Sequence, residues 1–346
     1  MTNAAPKTSE TFILDHIRVL ADGRFVALRP TTRLRRALYF GRSAPGDPDD
    51  LFARLLRDRI DVVLAEYGPT AVAAMDSCRR AEVPLLAHFH GFDVSKKSVL
   101  EAHRISYKRM FEHVRAIIAV SEFMQRQLVS LGASPSKIEI VPCGVDTTLF
   151  SGADPGVSTQ RLLMVGRLVD KKQPILVLRA FTAALTHCPD AVLTVIGDGP
   201  LRSAVEGAVM DLGIAQSVHL RGACSREDVR AEMLRSRAVV QHSRVAPSGD
   251  MEGLPVSLME AAATGLPVIS TMHAGIPEVV LHEKTGLLGA EGDVDAMANS
   301  MVRLLEDPTL AARFGASAAQ HARFHFDQRV MHGRLRALLG SAAISA

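Results

Sequence analysis

The residues best placed to do chemistry lie in Ser248-Gly-Asp-Met-Glu-Gly-Leu-Pro-Val-Ser-Leu-Met-Glu260, which runs on through Ala-Ala-Ala-Thr-Gly265 into an apolar stretch. Pro255 suits a helix's first turn and Gly265 its C-terminal cap, so the spacing predicts a helix over about 255–264. Glu252 then sits in the loop before the helix and Glu260 within it. Unpaired N–H groups and the positive end of the helix dipole make an anion site near Gly253, Leu254, Pro255, Val256 and Ser257. A carboxylate is repelled by a bound phosphate, so Glu252 is expected to meet a neutral group such as a sugar hydroxyl, and Glu260 a ribose diol. The bland alternative makes Glu252 an exposed loop acid and Glu260 a surface helix residue.

A second stretch, Leu162-Leu-Met-Val-Gly-Arg-Leu-Val-Asp-Lys-Lys-Gln-Pro174, passes from a strand through Gly166 to Arg167 and Lys172. Ligands of parallel sheets bind at the carboxyl ends of strands, where these two cations could clamp a diphosphate. Read alone, two basic residues near a helix start are more often a solvated charge run, and only the combination with the Glu252 helix in the same domain tips the pair toward function. In a third stretch, Pro84-Leu-Leu-Ala-His-Phe-His-Gly-Phe-Asp93, His90 stands before Gly91 and is expected to project from the strand end into a crevice. His88 and His90 share one face of that strand and Asp93 follows, the makings of a metal site that needs further His or acid ligands.

Two motifs argue against other chemistries. Val195-Ile-Gly-Asp-Gly-Pro200 follows a strand, but Arg202 replaces the third glycine of a dinucleotide fingerprint and Pro200 interrupts its turn, which disfavours an oxidoreductase. Asp47-Pro-Asp49 sits in a Gly/Pro loop and Asp293-Val-Asp295 at a helix start, so both read as turn and cap residues rather than metal–nucleotide ligands.

The elements that must position these groups follow from the whole chain. Its 346 residues suit two domains, and 47% hydrophobic with 22% charged residues is an ordinary globular composition. A net charge of +3 is too small to argue for nucleic acid. Cys78, Cys143, Cys188 and Cys224 are scattered without a CxxC, as expected of reduced thiols in a cytoplasmic protein. No run is long and apolar enough to span a membrane, and the start lacks the build of a signal peptide.

Apolar runs alternate with helical patterns, the signature of an α/β protein with parallel sheets. The expected strands are 24–28, 62–66, 84–89, 116–120 and 138–141 in the first half, and 162–165, 192–196, 218–220, 238–242 and 268–271 in the second. Breaker residues from Pro142 to Gly156 mark a linker. Ser9 opens a helical pattern through Phe12, Ile13, Ile17 and Leu20 almost at once, leaving only Met1–Ala5 for the strand that normally opens a doubly wound domain. That first strand is expected to be short or missing.

Gly166-Arg167, Lys172, Gly197-Asp-Gly-Pro200 and Glu252-x7-Glu260, in this order, resemble the retaining glycosyltransferases of family 4, which have the GT-B fold of two Rossmann-like doubly wound domains facing a cleft. Val120-Ser-Glu-Phe123, Val141-Pro-Cys-Gly-Val-Asp146, His90-Gly-Phe-Asp93 and Ser9-Glu-Thr-Phe-Ile13 resemble the exopolysaccharide and colanic-acid branch. The resemblance implies an acceptor-side domain over 1–146, a nucleotide-sugar domain over 147–323, and a C-terminal segment 324–346 that crosses back to the first domain, with a helix expected over 324–339. It implies that Arg167 and Lys172 bind the donor diphosphate, that amides around Gly253, Leu254, Pro255 and Val256 hold its distal phosphate, that Glu252 takes sugar hydroxyls and Glu260 the ribose, and that His90 faces the reacting sugar.

Catalysis by leaving-group stabilisation would need neither metal nor cofactor, and no protein nucleophile is assigned. The implied partners are a nucleoside-diphosphate sugar and a saccharide or lipid-linked acceptor. Seven arginines, Arg18, Arg24, Arg29, Arg33, Arg35, Arg36 and Arg42, against Asp22 alone, could meet an anionic membrane surface peripherally or form a solvated face. The competing readings are a nucleotide-sugar 2-epimerase, an inactive GT-B protein and a metal hydrolase built on His88, His90 and Asp93.

Overall fold

The computed structural model describes His16, the strand at 25–28 and residues 48–344. The N-terminal helical pattern, the arginine cluster between Arg18 and Arg42, and Asp47 lie outside the described residues. The chain forms two compact units, one of Met1–Cys143 with Arg329–Ala346, the other of Gly144–Gln328.

In the first unit, β1 (Phe25–Leu28), β2 (Val62–Glu66), β3 (Leu85–Phe89), β4 (Ala116–Ala119) and β5 (Ile138–Ile140) pair in parallel in that order. Every residue of β2 and β3 is buried, which is why both read as near-continuous apolar runs, interrupted by Glu66 and His88, rather than alternating ones. Val62, Leu64, Leu86, Ile118 and Val141 share a core with Met331, Leu335 and Leu339, a period-four stripe on the last helix, Gln328–Ile344.

That helix is not the one expected over 324–339. The chain forms helices Pro308–His325 and Gln328–Ile344, interrupted at Phe326 and Asp327. The break has a local cause: Val145 N donates to Phe326 O at 2.7 Å, Gln328 N donates to Val145 O at 2.9 Å, and the Thr147 hydroxyl donates to the Asp327 carboxylate.

The second unit carries an all-parallel six-stranded sheet ordered β11-β10-β9-β6-β7-β8. Its strands are β6 (Arg161–Val165), β7 (Val192–Ile196), β8 (Val218–Gly222), β9 (Ala238–Val240), β10 (Val268–Thr271) and β11 (Gly286–Gly289). The order jumps from β6 to β9, so the strands leading off in opposite directions open a crevice at their carboxyl ends. Residues from Leu162, Met164, Leu193 and Val240 pack against Phe181, Met301 and Phe314 of the covering helices.

Candidate active site

In the second unit the chain leaves β6 through Gly166 (φ +152°), where a Cβ would stand 3.0 Å from Lys172 Cδ and 3.1 Å from its Cε. The bare glycine lets the lysine stem lie against the backbone. A single 3₁₀ turn, Asp170–Lys172, and left-handed Gln173 (φ +39°) then lead into the helix that starts at Pro174. Lys172 is thereby set over the strand ends. Its Nζ lies 3.0 Å from Glu252 Oε1 and donates at 3.0 Å to Gln241 Oε1, just beyond β9.

Glu252 is buried, so the reading of it as an exposed loop acid does not hold. Burial works against its charge, but Lys172 and Lys171 outweigh it and hold the carboxyl down to about 2. The loop is pinned from behind. His273 Nδ1 lies 2.7 Å from Glu291 Oε1 and donates to it, leaving Nε2 to accept from Glu252 N at 3.2 Å. Lys171 Nζ holds the same loop by donating to Asp250 Oδ1 and Met251 O, each at 3.1 Å.

The helix after this loop runs over Val256–Thr264, with Pro255 as its N-cap rather than in its first turn and Gly265 (φ +100°) as its C-cap. Pro255 removes one donor where helical N–H groups go unpaired anyway, and the remaining amides of the first turn head the helix dipole. Ser257 Oγ donates to Gln241 Oε1 at 3.4 Å, tying that turn to the Lys172 cluster. Glu260, a turn and a half along, is mostly buried, 3.8 Å from Arg226 Nε.

Arg167, Lys171 and Lys172 thus face Asp250 and Glu252. Burial, only partly offset by Glu252, keeps the Lys172 ammonium below its ordinary value, with Lys171 and Arg167 adding to the fall. Arg167 is exposed. The structure brings Lys172, Glu252 and the first turn of the Val256–Thr264 helix together through Gln241. Such a surplus of cations over acids suits a polyanion.

His90 belongs to the first unit. Its ring does not project from the strand end as expected. It turns inward, 6% exposed, with Nε2 2.6 Å from Glu66 Oε2 and Nδ1 3.6 Å from Cys143 Sγ. Burial pushes the Cys143 thiol up and pulls His90 down to about 3, so a neutral ring donates from Nε2 to Glu66 and accepts the thiol proton at Nδ1. Asp93 does not join His88 and His90 as a metal ligand. Its carboxylate accepts backbone N–H groups from Gly91 (2.8 Å), His90 (3.1 Å) and Gly68 (3.2 Å), closing the turn after β3. Burial still raises it to about 6.

Residues 155–321 match the family described as Glycosyl transferases group 1, and residues 12–149 match Glycosyltransferase Family 4. The amylovoran biosynthesis glycosyltransferase AmsK of Erwinia amylovora is 31% identical over 284 residues, spanning 81% of this chain and 70% of that protein. The chain belongs to glycosyltransferase family 4. Another relative of this glycosyltransferase, the GDP-mannose-dependent alpha-(1-6)-phosphatidylinositol monomannoside mannosyltransferase of Mycolicibacterium smegmatis, is 29% identical over 80% of this chain and 73% of its own. The crystal structure of Anabaena Alr3699/HepE in complex with UDP superposes with a TM-score of 0.80 over 99% of this chain and 98% of that one, at 21% identity. The transferase therefore has the GT-B fold.

Several residues of the Lys172–Glu252 cluster escaped the sequence reading. Lys171 lay inside a stretch already singled out, and its neighbour Asp250 in another, but only the fold joins them. Gln241 and His273 each follow an apolar strand, the general signal that polar residues at strand ends deserve weight.

Proposed function

We propose that this glycosyltransferase moves a sugar, with retention of anomeric configuration, from a nucleoside-diphosphate sugar to a saccharide or lipid-linked saccharide acceptor of exopolysaccharide or cell-surface glycan biosynthesis. The observation that carries the reading is the buried Lys172–Glu252 pair at the strand ends, with Arg167 and Lys171 adding positive charge beside it.

In this reading Arg167 and Lys172 bind the donor diphosphate, and the backbone about Gly253, Leu254, Pro255 and Val256, through the N–H groups that flank Pro255, holds its distal phosphate. Glu252 takes the sugar hydroxyls and Glu260 the ribose diol. As the bond to the sugar breaks, negative charge gathers on the leaving diphosphate, and preorganised cations and helix N–H groups stabilise it there without reorganising. Charge is neutralised by protein groups, so donor chemistry needs no divalent metal and no cofactor. The acids nearest the lysines, Glu252 and Asp250, are already engaged by them.

AmsK is named for amylovoran biosynthesis and the mycolicibacterial relative as a phosphatidylinositol monomannoside mannosyltransferase, which supports a saccharide or lipid-linked acceptor; meeting such an acceptor would place the enzyme on the cytoplasmic side, peripherally at the membrane. No described helix is long and apolar enough to cross a membrane. Donor screening across UDP and GDP sugars, with product anomer read by NMR, tests the reaction: an inverted product, or free epimer released without acceptor, would overturn it. Binding to anionic but not neutral vesicles, steeply weakened by salt and lost when Arg33, Arg35 and Arg36 become Ser, tests the membrane reading.

A further inference from the structure

Glu66, the last residue of β2, is wholly buried, and its carboxylate is shared among three imidazoles. Oε1 lies 2.9 Å from His16 Nδ1, while Oε2 lies 3.2 Å from His88 Nδ1 and 2.6 Å from His90 Nε2. Glu66 and His88 are direct partners in the parallel register of β2 and β3, so two of these groups stand side by side on rigid sheet. The ring of His16 stacks on that of His88 with centroids 5.5 Å apart.

Hydrogen bonding accounts for only part of this cluster. His16 and His90 each direct a nitrogen at a carboxylate oxygen within bonding distance. His88 is 0% exposed; its Nδ1, 3.2 Å from Oε2, falls short of hydrogen-bond geometry, and its other polar neighbour is the Val141 backbone. A fully buried polar nitrogen left so is costly, and such groups call for an explanation. A cation supplies one, because it takes the imidazole lone pair and offsets the buried carboxylate charge together.

We propose that His16 Nδ1, the Glu66 carboxylate and His88 Nδ1 bind a divalent transition cation of the zinc type, with the His90 ring as the hydrogen-bond partner of the ligating carboxylate. The ligand atoms of these three residues all lie within 4.8 Å of one another. Two ligands on one tetrahedral zinc stand about 3.3 Å apart for bonds of about 2.0 Å, close to the 2.9 and 3.2 Å separations that Glu66 makes with His16 and His88. Two imidazoles and a carboxylate select zinc, cobalt or nickel over magnesium and calcium, which prefer oxygen. His16 is 50 residues from Glu66, so the cation would tie a distant helical residue to the sheet end and fix the carboxylate that orients His90. This site lies in the first unit; the proposed donor groups lie in the second.

The test uses the full chain purified without a polyhistidine tag. Elemental analysis should find about one zinc per chain, and cobalt should replace it with visible d–d absorption. Restoring zinc to protein stripped with dipicolinate should raise the melting temperature by roughly 5 °C. Glu66→Gln, nearly isosteric, should abolish stoichiometric uptake while circular dichroism stays native-like, and His113→Ala, on an exposed histidine elsewhere, should retain it. If Glu66→Gln does not fold, cobalt titration of the unaltered stripped chain decides alone. Folded stripped protein that takes up neither zinc nor cobalt stoichiometrically, and melts identically with and without them, would overturn the site. None of these readouts depends on glycosyl transfer, so this proposal and the donor reading fail separately.

Discussion

Two polar clusters sit at the carboxyl ends of two parallel sheets and face opposite electrostatic problems. In the second unit, Lys172 is clamped between Glu252 and Gln241, with Lys171 and Arg167 adding positive charge. In the first, one carboxylate, Glu66, is enclosed by His16, His88 and His90. Burial lowers the latter two, so both imidazoles are neutral at pH 7. The fold gathers polar groups at strand ends in both units, because apolar runs stop there and loops begin. Charge composition then decides what each cluster suits: surplus cations suit an anion in one, and a carboxylate among neutral imidazoles suits a cation in the other.

The sharpest way to break the contrast is to remove the cations. Lys172→Ala and Arg167→Ala are each expected to cut turnover by roughly 10²–10³, about 3–4 kcal/mol, the usual loss for one transition-state charge partner. Lys172→Ala also strands buried Glu252, so it should unfold more readily than Arg167→Ala. The pair Lys172→Met with Glu252→Gln should recover stability without recovering rate. Rates equal to the parent's in both single variants, on an accepted donor, would remove the diphosphate clamp.

Asp93 gives the next largest effect and belongs to the closed cluster's supporting turn. Burial raises its folded-state pKa from 3.8 to about 6. The folded state therefore holds the proton more tightly than the unfolded one, so the group's stabilising contribution is complete below pH ~4 and is lost as pH rises through ~6, about 3 kcal/mol in all. Chemical denaturation across that window should show Asp93→Asn losing this slope. A slope identical in variant and parent would mean that another acid carries it.

Much of this architecture was legible before any coordinates. Nearly every strand follows from its apolar run, because strands covered on both faces need no alternation. β11, Gly286-Leu-Leu-Gly289, escaped because glycines read as breakers. There Gly286 is required by close approach, since a Cβ would lie 2.1 Å from Val268 O. The Lys172 cluster and its surroundings were half visible: Arg167, Lys172, Glu252 and Glu260 stood out by local spacing, while Lys171, Gln241 and His273 act across strands. The Glu66 cluster was hidden for the same reason. His88 and His90 lacked further ligands in the neighbouring sequence, and Glu66 and His16 reach them only through register and folding. The inward turn of His90 was also illegible, being set by Glu66 and Cys143.

Gly166→Ala asks whether the open cluster depends on backbone shape. The new methyl would meet the Lys172 stem at 3.0–3.1 Å and force a non-glycine residue to φ +152°. Strain of this kind costs about 1–3 kcal/mol, and displacement of the ammonium should lower kcat roughly tenfold. A parallel change in melting temperature with unaltered kcat would show that Lys172 can move without loss.

The smallest expected effect is none, and it separates the two clusters most cleanly. Arg167, Lys172 and the first turn of the Val256–Thr264 helix already present positive charge where the diphosphate is proposed to bind, and Glu252, the acid in that cluster, is paired with Lys172. A magnesium or manganese ion would compete with those cations for the same phosphate oxygens. Brief treatment with excess EDTA should therefore leave turnover near the untreated rate, and adding either ion back should not raise it. Loss of activity reversed by magnesium or manganese would instead place an oxygen-preferring metal on the donor. Loss reversed by zinc alone, at a rate matching zinc uptake, would trace the dependence to the proposed site at His16, Glu66 and His88, since two imidazoles and a carboxylate favour that ion over oxygen-preferring ones.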